Sequence, residues 1–187
     1  MNTRWLSLAL VAASLSPLAA QAQQTMVPAQ SEVSFTSRQM GVPVDGKFKT
    51  FSAQVAFDPA KLATSKIAFT VDTGSADIGR EANAEVVKPL WFNVAAFPKA
   101  TFASSSIKRV DATKFEVAGK LSIKGVSSDV VVPVTLAQSG ATTVASGAFP
   151  IKRLSFRIGE KEWADTSMVA DEVQVKFKIA LTGVPKL

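Results

Sequence analysis

The side chains that could carry out chemistry are few, and their spacing does not support a reaction. Glu160, Glu162 and Asp165 form a small acidic group, and paired carboxylates can hydrolyse glycosidic bonds or bind a hard cation. Their spacing fits neither pattern, so a solvated loop is the better interpretation. Ser105 and Lys108 reproduce a Ser-x-x-Lys string, but the sequence lacks the Ser-Asp-Asn and Lys-Thr-Gly partners of penicillin-binding enzymes.

The residue types that are missing exclude most other catalytic sites. The sequence contains no His, no Cys and no Tyr. Catalytic triads and Cys-His nucleophile systems need His or Cys, and the usual zinc sites are built from the same two residues. A proton switch near neutral pH needs His. We therefore predict a non-catalytic protein with no metal site and no cofactor other than a bound lipid.

The N-terminus has the composition of a secretory signal. Arg4 supplies a positive charge, residues 6–18 are almost wholly apolar or small, and Ala20-Gln21-Ala22 offers small residues at both positions that a signal peptidase reads. The apolar run is shorter than the ~20 residues that a spanning helix needs, which favours a signal peptide over a membrane anchor. We predict cleavage after Ala22, one domain over residues 23–187, and a periplasmic location.

The charge of the mature chain does not indicate a nucleic-acid partner. Without residues 1–22 the chain keeps 20 basic and 15 acidic residues, a net charge of +5. Its lysines are spread along the chain and alternate with apolar residues, which is typical of the wet outer face of a sheet. A weak attraction to lipid head groups at the periplasmic membrane surface is compatible with this charge.

Alternating hydrophobicity predicts strands along the mature chain. Apolar and polar residues alternate through residues 115–124, which is the period of a strand with one buried face and one wet face. Eight such strands at hairpin-like spacing indicate an antiparallel sandwich or barrel. The other seven stretches are residues 33–35, 51–57, 67–73, 100–104, 130–136, 144–151 and 173–181.

Three features interrupt the strand pattern. Pro133 within a strand predicts a bulge or an edge. Residues 78–94 read partly as a helix, which Pro89 should end at one of the two residues before it. Residues 155–166 form a second irregular stretch.

Strands as long as residues 113–124 must bury one whole face. Closing the sheet into a barrel buries that face and removes exposed edges. A barrel of about eight strands is either filled by its own side chains or holds one small ligand. The periodicity leaves both possibilities open, but an interior of Phe, Val, Ile and Leu would admit only an apolar ligand.

A series of short motifs resembles a known family. From about Ser31 to about Thr182 their order and spacing are specific, although each motif alone is weak. In chain order they are Ser31-x-Val33-x-Phe35, Met40-Gly41-Val42, Gly46-Lys47-Phe48-x-x-Phe51, Phe57-Asp58-Pro59, Trp91-Phe92-Asn93-Val94, Phe97-Pro98-x-Ala100-x-Phe102, Gly119-Lys120-Leu121-Ser122-Ile123-Lys124-Gly125-Val126, Phe149, Ile151-x-Arg153, Phe156-x-Ile158-Gly159 and Trp163. With these motifs the chain resembles the YceI-like family, the lipocalin-like periplasmic proteins linked to polyisoprenoid binding.

The resemblance implies a fold and a ligand. The fold is all-β with a short helical insertion: an elongated, eight-stranded, antiparallel, lipocalin-like β-barrel. The ligand is an isoprenoid, which includes the isoprenoid quinones, or a similarly long amphiphile held in a tunnel. The implied role is carriage, storage or a stress response, and the resemblance implies no catalytic residue.

Two positions depart from the commoner family pattern. Gln39 stands where many members carry His, and Asn83-Ala84-Glu85-Val86 replaces an Asp-x-His-Leu string. A variant group of the family shares both features, and some of its members are associated with membrane b-type cytochromes. The alternative function is therefore an interaction module that assists a membrane b-type cytochrome or another redox protein, without a bound lipid.

The candidate site residues form three sets. Arg153 is the candidate for contact with a polar or anionic head group, because the guanidinium suits phosphate; the alternative is an exposed arginine on a strand or a loop. The mouth or lid of the tunnel, or else a plug, comprises Met40, Trp91, Phe92, Phe97, Phe156 and Trp163. The tunnel lining, or else ordinary barrel core, comprises Phe35, Phe57, Phe69, Phe102, Phe115, Val117, Leu121 and Phe177.

Overall fold

The computed structural model of the protein describes residues 24–187, so the predicted signal peptide lies outside the described residues. One α-helix in this range, α1, spans Arg80–Val86. Short 3-10 helices span Pro28–Gln30, Leu62–Thr64, Thr73–Ser75, Arg153–Phe156 and Lys161–Ala164. The strands are β1 (Thr25–Met26), β2 (Glu32–Gln39), β3 (Val42–Phe48), β4 (Phe51–Ala56), β5 (Lys66–Asp72), β6 (Ala76–Asp77), β7 (Lys99–Arg109), β8 (Lys114–Ile123), β9 (Val126–Ser139), β10 (Thr142–Lys152) and β11 (Glu172–Thr182).

The strands form one antiparallel sheet that curls back on itself. Its order is β4-β5-β7-β8-β9-β10-β11-β2-β3-β6, so β4 lies at one end of the path, and β3 lies near the other end, followed only by the two-residue β6. Only Lys49 and Thr50 separate β3 from β4, and the two therefore act as one bent strand that joins the edges of the sheet. Counted in this way, the long strands number eight, which confirms the predicted eight-stranded antiparallel barrel.

A short N-terminal strand completes the closure. β1 pairs with the end of β11, and Gln24 bridges to Val55 on β4. The Gln24 side-chain amide also accepts from the Phe57 amide at 2.9 Å and donates to the Phe57 carbonyl at 2.6 Å. These bonds occupy main-chain groups that would otherwise be left exposed at the edge of the sheet.

The alternation along each strand places the apolar residues inside the barrel. In β8, Phe115 and Val117 are 2% and 3% exposed, whereas Glu116 and Lys120 are exposed. The same alternation runs along β4 and β7. Period two in the sequence is thus a reliable guide to which side chains face the interior.

The ladder between β9 and β10 stops halfway along the two strands. Pairing runs from Thr142–Ser139 to Ser146–Thr135 and ends there. The next residue pair would include Gly147, and a Cβ at Gly147 would overlap the carbonyl oxygen of Pro133. The Pro133 carbonyl oxygen therefore faces β10. A main-chain N–H at the same position would also face β10, but proline has none. The irregularity predicted at Pro133 is confirmed as an edge, because the part of β9 before Thr135 has no ladder with β10. A β-bulge lies elsewhere, in β7 between Ser104 and Ser106.

The inserted helix α1 is anchored by hydrogen bonds at its start. The Asn83 side chain accepts from the Ile78 amide at 2.7 Å and donates to Asp77 at 3.0 Å. The hydrogen bond from Asn83, and then the Lys49 ammonium at 2.9 Å, lower the pKa of Asp77 to about 2. The helix ends at Val86, close to the predicted end. Within residues 24–187, no helix has the length and hydropathy needed to cross a membrane.

Candidate functional site

Two cavities lie inside the barrel that residues 24–187 form. The first, here called the apolar cavity, has a volume of about 190 Å³. Its walls are apolar side chains apart from Thr101 and Thr143. Seven of the predicted tunnel-lining residues contribute to it: Phe57, Phe69, Phe102, Phe115, Val117, Leu121 and Phe177.

The second cavity, here called the polar cavity, is larger, with a volume of about 390 Å³. The eighth predicted lining residue, Phe35, contributes to its wall together with Trp91, Phe92 and Trp163. Unlike the apolar cavity, it has charged side chains in its walls, and it has more polar ones. These are Ser37, Gln39, Thr73, Glu81, Glu85 and Arg153.

The two cavities adjoin inside the barrel, and together they are here called the tunnel. They share six wall residues: Val33, Val71, Ala100, Leu121, Phe149 and Val175. Ala100 is paired with Val71 across β7 and β5, and the six shared residues mark the junction between the two cavities. The interior is thus lined by apolar side chains at one end and by mixed side chains at the other.

Glycines on neighbouring strands give the phenylalanine rings room to lie flat against the tunnel wall. A Cβ at Gly119 would lie 2.5 Å from the Phe102 ring, and a Cβ at Gly147 would lie 2.6 Å from the Phe177 ring. A Cβ at Gly46 would likewise overlap the ring of its strand partner, Phe35. Each ring therefore covers a glycine instead of crossing the lumen, and the tunnel stays open between large side chains.

Gly46→Ala tests this arrangement, because a Cβ at Gly46 would overlap only the Phe35 side chain, whereas a Cβ at Gly119 or Gly147 would also overlap a main-chain oxygen. The new methyl group would force the Phe35 ring out of its place, and we expect a loss of about 1–3 kcal/mol in the free energy of unfolding, typical of overpacking. Urea denaturation measures the loss. The second variant, Gly46→Ala with Phe35→Leu, should recover stability because leucine lacks the ring atoms that clash. Wild-type stability in the single variant would contradict the role of the glycine.

The predicted mouth residues separate into two groups. Trp91, Phe92 and Trp163 line the polar cavity, with the two indole rings 5.3 Å apart. Met40, Phe97 and Phe156 line neither cavity. The structure thus brings half of the predicted mouth to the tunnel.

The other three have different surroundings. Met40 lies at the β2–β3 turn and is 70% exposed. The Phe97 ring packs against Gly125 in the β8–β9 turn. Phe156 is 3% exposed and packs with Ile123 and Ile158, two residues that line the polar cavity. These two aromatic residues therefore stabilise the barrel end.

Arg153 is buried, at 2% exposure, and its guanidinium is fully occupied. Burial lowers its pKa, and the nearby Asp171 partly opposes that shift. Its five N–H groups donate to main-chain carbonyls of Ile158 (2.9 Å), Gly159 (2.8 Å), Trp163 (2.7 Å), Val169 (2.7 Å) and Ala170 (3.1 Å). No N–H remains for a head group, and an exposed loop arginine does not describe it either. We replace both expectations with a structural role: Arg153 holds residues 153–171, here called the irregular segment, against the barrel.

A second buried cation holds the same segment from the other side. The Lys124 side chain is 6% exposed and lies in the β8–β9 turn. Its ammonium donates to the Arg157 carbonyl at 2.5 Å and to the Glu160 carboxylate at 3.0 Å. Sequence reasoning placed the lysines on the outer face and missed this contact. Glu160 is thus part of a structural ion pair, while Asp165 caps the turn at Ser167.

Several wall residues were absent from the sequence-based set. Ala100 and Val175 lie on the inward faces of predicted strands, so alternation alone could have found them. Glu81 and Glu85 are one turn apart on α1, which places them on one helix face. Thr73 continues the inward positions of the predicted strand 67–73, so alternation could have found it too, but its hydrogen bond of 2.9 Å to the Phe97 carbonyl in a distant loop could not be predicted.

Comparison with known proteins places this architecture in a family. The model of the YceI-like domain matches residues 24–181. The crystal structure of Burkholderia cenocepacia BcnA is 49% identical, covers 83% of this chain and 98% of that chain, and superposes with a TM-score of 0.80. A polyisoprenoid binding domain from Saccharophagus degradans, implicated in plant cell wall breakdown, shares 14% identity with a TM-score of 0.70, covering 87% and 99% of the two chains. At that identity the likeness concerns the fold alone.

Curated sequences give a shorter match. A UPF0312 protein of Enterobacter sp. (strain 638) is 33% identical over 96 residues, which is 51% of this chain and 50% of the relative. The match thus spans about half the length of that curated relative. The domain match, by contrast, extends from the bridge at Gln24 to the last residues of β11. The chain therefore belongs to the YceI-like family.

Proposed function

We propose that this protein binds one isoprenoid or a similarly long amphiphilic lipid in the tunnel, and that it acts without catalysis. The observation that carries the proposal is the pair of adjoining cavities inside the barrel, one with apolar walls and the other with mixed walls. Such an interior matches an amphiphile with its tail in the apolar cavity and its head in the polar cavity. The proposed location is the periplasm, where the protein would carry or store the lipid, with isoprenoid quinones among the candidates.

The energetics favour recognition of the tail. Each CH₂ group removed from water contributes about 0.8 kcal/mol, so a tail of a few isoprene units supplies ten kcal/mol or more, against association costs of roughly 4–15 kcal/mol. Arg153 adds nothing to head-group affinity in this account, because its donors are taken. Affinity should therefore rise with chain length until the tunnel is full.

Exchange with a bilayer requires a surface that can meet it. Met40 and Val42 at the β2–β3 turn are 70% and 63% exposed, and Met168 beside them is 47% exposed. The Met40 amide donates to the Met168 carbonyl at 2.9 Å, which keeps the three side chains in one patch. Because Gln39 and Val169 next to this patch line the polar cavity, we propose that this end of the barrel faces the membrane surface during loading.

Native mass spectrometry tests the binding function. Residues 23–187 would be purified from periplasm without detergent, and the lipid fraction would be extracted and identified. We expect a discrete added mass that matches a polyprenyl chain or an isoprenoid quinone. Protein that is clean and also fails to take up added isoprenoids would contradict the proposal and favour the interaction module for a membrane b-type cytochrome.

A further inference from the structure

The apolar end of the tunnel is covered by residues 183–187, here called the end segment. The ladder of β11 stops at Thr182, which is paired with Thr142 at the start of β10. Gly183 then has a φ of 75°, a left-handed conformation that glycine adopts without steric cost, and the extended strand ends there. Because Thr143, next to Thr142, lines the apolar cavity, the end segment leaves the barrel wall at the apolar end.

Two side chains of the end segment pack against the barrel interior. Val184 lines the apolar cavity and packs against two clusters of buried apolar side chains. Leu187 packs against one of these clusters, whose five members all line the apolar cavity, although Leu187 itself lines neither cavity. Pro185 and Lys186 between them are exposed. The end segment thus forms part of the cavity wall with Val184 and covers that wall from outside with Leu187.

One polar side chain holds the end segment in place. The Gln138 side-chain nitrogen is shared between the Val184 and Pro185 carbonyls, at 3.3 Å from each, and the Gln138 side-chain oxygen accepts from the Leu187 amide at 3.3 Å. The same nitrogen donates to the Thr143 hydroxyl at 3.1 Å. Gln138 on β9 is paired with Thr143 on β10, so these bonds tie the end segment to the barrel wall.

Resting on the proposed function, we propose that the end segment is a stopper that limits the length of the bound tail, with Val184 as the specificity-determining residue. A tail that enters from the polar cavity reaches Val184 at the far end of the apolar cavity. A shorter tail leaves apolar wall uncovered, and each CH₂ group that is not buried weakens binding roughly fourfold. A longer tail must leave its excess carbon atoms in water or displace its head from the polar cavity. Affinity should therefore pass through a maximum at one chain length.

The test measures the affinity of residues 23–187 for all-trans prenyl alcohols that differ by one isoprene unit, from C10 geraniol to C45 solanesol, delivered from cyclodextrin. Trp91 and Trp163 are the only tryptophans in this range and both line the polar cavity, so their fluorescence reports binding. In Val184→Phe the ring occupies the space of the last tail carbons. We expect the maximum to move to an alcohol one isoprene unit shorter, and the wild-type optimum to bind at least tenfold more weakly, which corresponds to roughly two unburied CH₂ groups.

A second variant and a matched control complete the design. Val184→Ala makes the opposite change in volume, so the alcohol one isoprene unit longer than the wild-type optimum should bind severalfold more tightly. This variant also tests the stopper if Val184→Phe does not fold, which melting temperatures show. Lys186→Phe adds the same ring at an exposed position of the end segment that lines neither cavity, and it should keep the wild-type maximum.

The outcomes separate the stopper from the binding function. An affinity that rises through C45 in the wild type, or a chain-length profile that is unchanged in the Val184 variants, would overturn the stopper while leaving lipid binding in place. An equal shift in Lys186→Phe would overturn the assignment to Val184. Failure of every alcohol to bind would remove the proposed function and the stopper together.

Discussion

Arg153→Met is expected to lower the free energy of unfolding by about 3–5 kcal/mol, because it removes all donors of a buried hydrogen-bonded cation at once. Methionine fills much of the volume of the arginine side chain, so the loss reflects hydrogen bonds more than a cavity. Five main-chain carbonyls in the irregular segment would lose their donor, and each unsatisfied buried group is destabilising. Urea denaturation measures the change, with the fluorescence of Trp91 and Trp163 as the signal. Trp163 lies in the irregular segment, and the Trp91 ring packs against it.

Arg157→Met is the matched control for this variant. Arg157 is exposed, lies in the same segment, and its side chain makes no hydrogen bond within residues 24–187, so its replacement should change stability by less than about 0.5 kcal/mol. A loss below about 1 kcal/mol in Arg153→Met would show that the carbonyls find water instead, and that Arg153 does not hold the segment. Because of this structural role, loss of lipid binding in an Arg153 variant cannot be read as loss of a head-group contact.

The sequence predicted the barrel wall because its signals are local. Alternation along residues 115–124 identified the inward face of β8, and the eight predicted lining residues all line the tunnel. Pro133 marked the place where the ladder between β9 and β10 ends. Proline cannot donate a main-chain hydrogen bond in any strand, so this signal does not depend on where the strand lies in the sheet. Periodicity could not show that the lumen is open, because inward side chains either fill a barrel or line a cavity with the same pattern.

Strand register explains part of what sequence reasoning missed. Met40 and Gly41 form a two-residue turn between β2 and β3, and that turn alone sets Gly46 opposite Phe35. The pairing of a ring with a glycine could thus have been predicted from the hairpin. Gly147 opposite Phe177 could not, because β10 and β11 are joined by the long irregular segment.

Burial of charge was beyond the reach of local patterns. Arg153 and Lys124 look like the other basic residues of the chain. The partners of Arg153 are main-chain carbonyls spread over residues 158–170, and those of Lys124 are the Arg157 carbonyl and the Glu160 carboxylate. A main-chain carbonyl exists at every position, so the sequence contains no sign of where five of them converge. The mouth residues divide for a related reason: Phe156 packs behind the wall residues Ile123 and Ile158, whereas Trp163 lines the polar cavity itself.

Ala100→Phe is expected to divide the tunnel at the junction of the two cavities. The phenyl ring would project from β7 among the six shared wall residues, where the wild type has a methyl group. We expect binding of the C20 alcohol geranylgeraniol to fall at least 100-fold, because half of the tail would lose its apolar contacts at about 0.8 kcal/mol per CH₂. The C10 alcohol geraniol fits within one cavity and should lose less than about fivefold, since its buried area is unchanged.

The control lies three residues further along the same strand. Ala103 is exposed and lines neither cavity, so Ala103→Phe should bind both alcohols like the wild type. Melting temperatures of the two variants show whether the barrel has kept its fold. If Ala100→Phe still binds the C20 alcohol tightly, the tail does not pass the junction, and the two cavities act separately. If it loses both alcohols equally, the ring has collapsed the lumen as a whole. A selective loss of geranylgeraniol binding is the one of these results that requires a ligand extending through the junction. It would therefore link the length of the bound lipid to the geometry of this barrel.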